Sequence, residues 1–331
     1  MLDERKAAIL RAVVEEYIET ADPVGSARVA QAAGVQVSSA TVRNEMAVLE
    51  REGYLVQPHT SAGRVPTDKG YRFFVDTMAG PGHLQPAQRQ QVTQFFAKAH
   101  GQLEQTLHDT SKLLSNLTDY AAVIVGPSHE VATVRSVQLV GLSARTALLV
   151  AVLSNAVVEK RTVDFTDDLD DGALATASAD LARLLVGRTL AELPTLATDN
   201  LSPLAATALA GLAGARHEDE PDHVFVGGVA RMAQAFDAVE TVRDVLRTLE
   251  QQYLVVGLLR DLIDRGLSVA IGVEHGVQPL AECSVVVAPF GVDGEQLGSI
   301  GVLGPTRMHY PEALAAVAVV SQQLGRRLSE S

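Results

Sequence analysis

The chain has 331 residues, 47% of them apolar and 20% charged, which suits two or three globular domains with sizeable cores and excludes a disordered or low-complexity chain. Its one cysteine, Cys283, excludes an intrachain disulfide and a thiolate metal cluster. The net charge of -13 sits mostly beyond the first 80 residues, which hold 9 Lys and Arg against 11 Asp and Glu, whereas the remainder holds 18 against 29.

An acidic total argues against nucleic-acid binding, because phosphate neutralisation supplies most nonspecific affinity. The local pattern differs: between Gln57 and Val75 stand Arg64, Lys69 and Arg72 against Asp68 alone. The N-terminus opens on a charged amphipathic helix with no apolar leader. No uncharged apolar run reaches the roughly 18 residues that a membrane span needs. The expectation is a cytoplasmic protein, compatible with a reducing compartment and without a membrane partner.

In chain order, Leu10, Val13, Val14, Tyr17 and Ile18 form the apolar stripe of a first helix, which must stop before Pro23. A second, short helix is expected from Ser26, as N-cap, to Ala33, closed by Gly34. A third begins at Ser38 or Ser39 and turns Val42, Met46 and Leu49 to a core, which leaves Ala40, Asn44 and Ala47 on the other face, flanked by Arg43. After Gly53 the period becomes two across Tyr54 to Gln57, and an Arg-bearing polar loop follows, so a short hairpin with a basic tip is expected.

A helix-turn-helix followed by a hairpin is how winged-helix proteins grip DNA. Asn and Arg have the forked geometry that matches adenine and guanine edges in the major groove. The candidate base-reading surface is therefore Ser39, Ala40, Thr41, Arg43, Asn44 and Ala47, with small residues that let the helix seat deeply. His59, Thr60, Ser61, Arg64, Lys69 and Arg72 are the candidates for phosphates or the minor groove beside it.

A further helix from Pro66 ends at Gly80-Pro81-Gly82, the clearest linker in the chain. From Val92 through Phe96, Ala99, Leu103, Thr106, Thr110 and Leu113 to Leu117, spacings of four and three form a seam that fits either the chain's own body or a partner helix. Residues 121–125, 131–141, 146–153 and 157–165 are β-branched and short and read as neighbouring antiparallel strands. Alanine- and leucine-rich helices follow from 167 to 215 and, after an acidic loop, from 229 to 265. Strands return at 267–273, 284–288 and 297–303, ahead of a last helix over 311–327. The class is α+β, with a helical segment inserted into a sheet domain.

Nothing points to catalysis. There is no Walker A run and no G-x-G-x-x-G, and Gly298, Gly301 and Gly304 have the wrong spacing for a phosphate cradle. The run from His217 to His223 has metal-binding residue types in a loop of solvated charge, and Cys283 reads as a buried small hydrophobe. No metal and no cofactor are expected. Arg307, after Gly304-Pro305, reads either as part of a structural turn or as a regulatory contact.

Three blocks near the N-terminus resemble the signature of the heat-inducible transcription repressor HrcA family: Ser39-Ala40-Thr41-Val42-Arg43-Asn44-Glu45-Met46, Gln57 to Arg64, and Pro66-Thr67-Asp68-Lys69-Gly70-Tyr71-Arg72. Gly298 to Met308 resembles a second block near the other end. The resemblance implies a winged helix-turn-helix domain over 1–80, linking helices over 81–120, a GAF-like antiparallel domain over 121–166 and 229–331, and an inserted helical dimerisation region over 167–228. It also implies a homodimer that represses chaperone operons, binds double-stranded DNA at an inverted-repeat operator and is kept active by the GroE-type chaperonin. His309, His275 and the segment near Ala235-Phe236 depart from the family pattern. A metabolite-responsive winged-helix regulator with a ligand-binding body is the alternative.

Overall fold

The computed structural model describes residues 2–329 apart from 60–61, 79, 81, 99–102, 127–132, 155–157, 190–191, 194–200, 215–223, 233–235, 237–238, 265–267 and 293–294. The loop from His217 to His223 and Thr60 and Ser61 thus lie outside the described residues, as does Ala235.

The N-terminal unit is three helices and a hairpin. In α1 (Glu4–Thr20), Ile9, Leu10, Val13, Val14 and Ile18 are buried; Asp3 caps the start by accepting the Lys6 N–H at 2.9 Å, and Ala21 ends it at φ 56. The second helix, α2 (Ser26–Val29), is shorter than expected, and its N-cap is Gly25 rather than Ser26. Without a side-chain cap it runs one turn before loosening into turns that end at Gly34, φ 87. Helix α3 (Ser39–Arg51) buries Val42, Met46 and Leu49, as the spacing requires. Strands β1 (Leu55–Val56) and β2 (Val65–Pro66) pair antiparallel, and α4 (Asp68–Asp76) is capped by Thr67, whose Oγ1 accepts the Gly70 N–H at 3.2 Å.

Helices α5 (Pro86–Lys98) and α6 (Leu103–Thr118) join this unit to the body. Val92, Phe96, Leu113 and Leu117 of the seam pack into the chain's own core, with Leu103 partly buried against it, so that much of the seam faces inward. Strand β3 (Ala121–Val125) then enters a five-stranded sheet in which all five residues are buried.

The next three strands leave that sheet. Spacing alone groups residues 121–166 as one run of neighbouring strands, but β4 (Val134–Gly141), β5 (Thr146–Leu153) and β6 (Val158–Asp164) form a three-stranded sheet of their own, with Val134 also bridged to Val186. Their inward residues Val137, Leu139, Ala147, Leu149, Ala151 and Leu153 form a separate core with Leu174, Ala177, Leu181 and Leu185 of α7 (Asp171–Leu185) and Ala205, Ala208, Leu209 and Leu212 of α8 (Pro203–Gly214). The insertion therefore contains a sheet as well as helices. β-Branched spacing marks strands but not their partners.

The chain returns through β7 (Val224–Gly227), a strand in the gap between the helices expected over 167–215 and 229–265, which pairs with β3. It continues as α9 (Val229–Met232), α10 (Val239–Glu250), α11 (Gln252–Asp264), β8 (Val269–Ile271), β9 (Cys283–Val292), β10 (Glu295–Pro305) and α12 (Tyr310–Ser329). The sheet order is β7-β3-β10-β9-β8, antiparallel throughout. Alternation along the strands splits the body into two layers. Ala122, Ile124, Val286, Ile300 and Val302 face α6 and α12, while Val123, Val285 and Val287 face Leu249 of α10 and Leu259 and Leu262 of α11.

The glycines of β10 serve this packing. A Cβ at Gly298 would collide with the Val125 carbonyl, at Gly301 it would lie 2.8 Å from the Val286 carbonyl, and at Gly304 it would meet the Tyr120 ring at 2.7 Å. Among the described residues, no helix is long and apolar enough to cross a membrane, and no group of three or more His, Cys, Asp or Glu is arranged to hold a metal ion.

Cys283 is fully buried, and burial pushes its thiol up to about 12. At pH 8 the folded protein should therefore resist alkylation and react only as it unfolds. Rapid stoichiometric labelling of native protein by iodoacetamide, read by intact mass, would contradict this placement.

Candidate nucleic-acid interface

Helix α3 starts at a cap built for it: Ser38 Oγ accepts the Thr41 N–H at 3.2 Å and lies 3.0 Å from Thr41 Oγ1. The cap fixes the first turn, and the buried stripe fixes the rotation. As a result Ser39, Ala40, Arg43 and Asn44 are exposed together, with Thr41 and Ala47 half-buried at their margin. The surface is small, polar and cationic.

The hairpin beside it is clamped at its base. The Val24 and Arg64 backbones exchange N–H···O bonds of 2.9 Å each way, and Gly63 lies so close to Pro23 and Val24 that any Cβ would collide with their carbonyls. Across the turn, Ala62 N–H donates to the His59 carbonyl and Gln57 Nε2 to the Ala62 carbonyl, both at 2.9 Å. His59 is exposed at the tip.

The basic side chains expected to meet phosphates are instead engaged within the chain. Arg64 donates from Nε and Nη2 to Glu50 Oε2 at 2.9 Å, which pins the hairpin to α3. Lys69 Nζ donates to the Glu52 carbonyl at 2.8 Å and lies 4.3 Å above the Tyr54 ring, although its side chain remains exposed. Arg72 turns to the body: Nε donates to Glu274 Oε1 at 2.9 Å, Nη2 to Glu274 Oε2 and, at 2.9 Å, to the Val269 carbonyl, and Nη1 to Asp76 at 3.3 Å. Arg28 pairs with Glu16 and Arg5 with Glu45, so the unit largely neutralises itself.

At the contact with the body, the carboxyls diverge. Burial pushes Asp68 up, with the Val273 N–H and His275 opposing it and the Glu274 carboxylate adding to it. Burial pushes Glu274 up too, but the Arg72 guanidinium and the Ile271 N–H together hold it below the usual carboxylate range. Burial also lowers His275, whose Nε2 lies 2.9 Å from the Leu280 carbonyl and whose Nδ1 accepts the Val277 N–H. A neutral ring donating from Nε2 satisfies both contacts.

A family model described as "HrcA protein C terminal domain" matches residues 104–314, more than half of the chain. The chain belongs to the HrcA family. It is 38% identical to the "Heat-inducible transcription repressor HrcA" of Streptomyces avermitilis across 100% of both chains, and 38% identical to that of Acidothermus cellulolyticus, again across 100% of both. A crystal structure described as a hypothetical protein at 2.2 Å resolution shares the fold at a TM-score of 0.59 and 23% identity, covering 99% of this chain and 98% of the other.

Sequence reasoning on this HrcA-family chain missed Glu50, Gly63 and Glu274. Glu50 lies 14 residues from Arg64 and Glu274 lies 202 from Arg72, spacings that carry no periodic signal. Gly63 carried a signal, but it reads equally well as loop punctuation.

Two glycine substitutions separate packing from propensity. Gly63→Ala should destabilise the protein by about 1–3 kcal/mol, since the intruding methyl meets backbone on two sides. Gly257→Ala, in α11 with open space around it, should stabilise by up to about 1 kcal/mol. Urea titrations of the two variants should move in opposite directions; a shared sign would refute the clamp.

Proposed function

We propose that residues 1–80 form a winged helix-turn-helix DNA-binding domain carried by a GAF-like body. The protein then acts as a homodimeric repressor on an inverted-repeat operator of double-stranded DNA in chaperone operons. The observation that carries this is the coexposure of Ser39, Ala40, Arg43 and Asn44 on the open face of a capped helix, beside a hairpin clamped to it, in a chain of a repressor family.

In this reading α3 lies in the major groove. Arg43 and Asn44 supply bidentate contacts to guanine and adenine, Ser39 and Thr41 supply hydroxyls, and Ala40 and Ala47 allow close approach. His59 reaches the backbone or the minor groove from the hairpin, and Thr60 and Ser61 are further candidates for these contacts. Arg64 and Lys69 act mainly by fixing the hairpin and α4 against α3, and Arg72 lies outside the DNA contacts.

Because the N-terminal unit matches most of its own cations with carboxylates, nonspecific affinity is modest and tight binding depends on two units acting together. Two-fold symmetry then requires half-sites a near-whole number of helical turns apart. The protein works without a cofactor, and a GroE-type chaperonin maintains it by refolding chains lost to heat.

Arg43→Ala and Asn44→Ala should each cost about 1–3 kcal/mol on operator DNA and little on random DNA. Arg64→Ala should leave the slope of log affinity against log salt unchanged, because its guanidinium already belongs to Glu50. Equal losses on both DNAs, or a slope reduced by about one for Arg64→Ala, would count against these assignments.

Mild heating should remove operator binding and dimer mass together, and chaperonin with ATP should restore both. Loss of binding from an intact dimer would sink the refolding account.

A further inference from the structure

We infer that Arg72 and Glu274 are positioning residues for operator reading: their ion pair, with Asp68 set against Gly272 and Val273, fixes the angle at which each DNA-binding unit stands on the body. That angle sets the half-site spacing the dimer accepts. The inference rests on the dimeric operator reading above and adds the device that measures the operator.

Helix α4 is fastened at both ends of this relay. Toward α3, Thr67 Oγ1 donates to the Gly53 carbonyl at 2.7 Å and Lys69 to the Glu52 carbonyl, so α4 moves with the base-reading helix. Toward the body, Tyr71 and Phe74 are buried in the core, and the Tyr71 ring lies 6.1 Å from that of Tyr310.

Apolar contact of this kind settles which faces meet, but it is less particular about their exact angle than directional bonds are. The polar contacts set that angle. Arg72 meets both Glu274 oxygens through two nitrogens, a fork with one good geometry. Glu274 is itself aimed by the Ile271 N–H at 2.9 Å, and the Val269 carbonyl takes a second bond from Nη2.

Asp68 adds a second point 4 residues along α4. It accepts the Val273 N–H at 3.4 Å and lies where any Cβ on Gly272, φ 55, would collide with its carboxylate. Two separated points fix a rotation that one point would leave free.

The pair is partly exposed, with side-chain accessibilities of 26% for Arg72 and 29% for Glu274. A bidentate pair contributes to stability as well as to angle, so the test reads orientation.

Operator affinity of the full-length protein is measured on the inverted repeat and on the same repeat with about five base pairs, half a helical turn, inserted between half-sites. Wild type should lose about 100-fold or more on the insertion, because only one half-site can then be engaged. Arg72→Ala and Glu274→Gln should each shrink that loss to about tenfold or less, and the double variant should be no different from either single one.

Variant spacing profiles that superimpose on a steep wild-type profile would overturn the clasp and leave the repressor reading standing. A wild-type profile indifferent to the insertion would overturn the clasp together with the two-fold operator. Should Arg72→Ala fail to fold, Arg72→Lys keeps the charge without the fork: a shrunken loss on the insertion supports the clasp, and a profile like wild type overturns it.

Discussion

One continuous apolar core holds the N-terminal unit and the body together. Ile9 and Leu10 of α1, Leu49 of α3, Leu114 of α6, Ile124 of β3 and Tyr310 of α12 all belong to it, though they span most of the chain. The exposed face of α3 depends on this cluster, because a surface can present Arg43 and Asn44 at a fixed angle only if Val42, Met46 and Leu49 are immobilised behind it. The three-stranded sheet with α7 and α8 has a core of its own and so can vary in packing without disturbing that angle.

Charge does in detail what the core does in bulk. The N-terminal unit holds Arg64, Arg28, Arg5 and Arg72 in ion pairs with carboxylates, and these pairs locate elements rather than accumulate positive potential. A surface with few available cations gains little from indiscriminate phosphate contact, so in the proposed reading discrimination rests on the few side chains of α3. Acidity of the whole chain and nucleic-acid recognition are thus compatible.

Much of this was legible from spacing. The stripes of α1 and α3, the cap at Ser38, the hairpin after Gly53, the seam at Val92 and Phe96 and the limits of β5 all follow from periodicity and local turn chemistry, which act over a few residues. Three kinds of feature were not legible. Short α2 ran into weak capping. Strand partnership misled, because β4 to β6 look like continuations of β3 until the register is known. The fates of Arg64, Lys69 and Arg72 were missed because a cation's partner is set by the tertiary fold, so a basic cluster in sequence need not be a basic patch in space. The resemblance at Gly298 to Met308 located a block whose glycines are there to admit neighbouring backbone and rings.

The pairing of β3 with β10 bears on how the protein comes to exist. Ala122 aligns with Val302 and Ile124 with Ile300, partners separated by the whole insertion and much of the body, and β10 is the central strand of its sheet. During synthesis, then, β3, β7, β8 and β9 emerge before the strand that joins them, with their apolar faces waiting. Closing so long a loop raises the entropic barrier only slowly with length, but contacts this distant in sequence slow the search for the native register. Chains of this size with such distant pairings are prone to collapsed, incompletely paired states whose exposed strand edges invite aggregation. Order of synthesis thus leaves the central pairing of this sheet to the last strand made, whatever the stability of the finished fold.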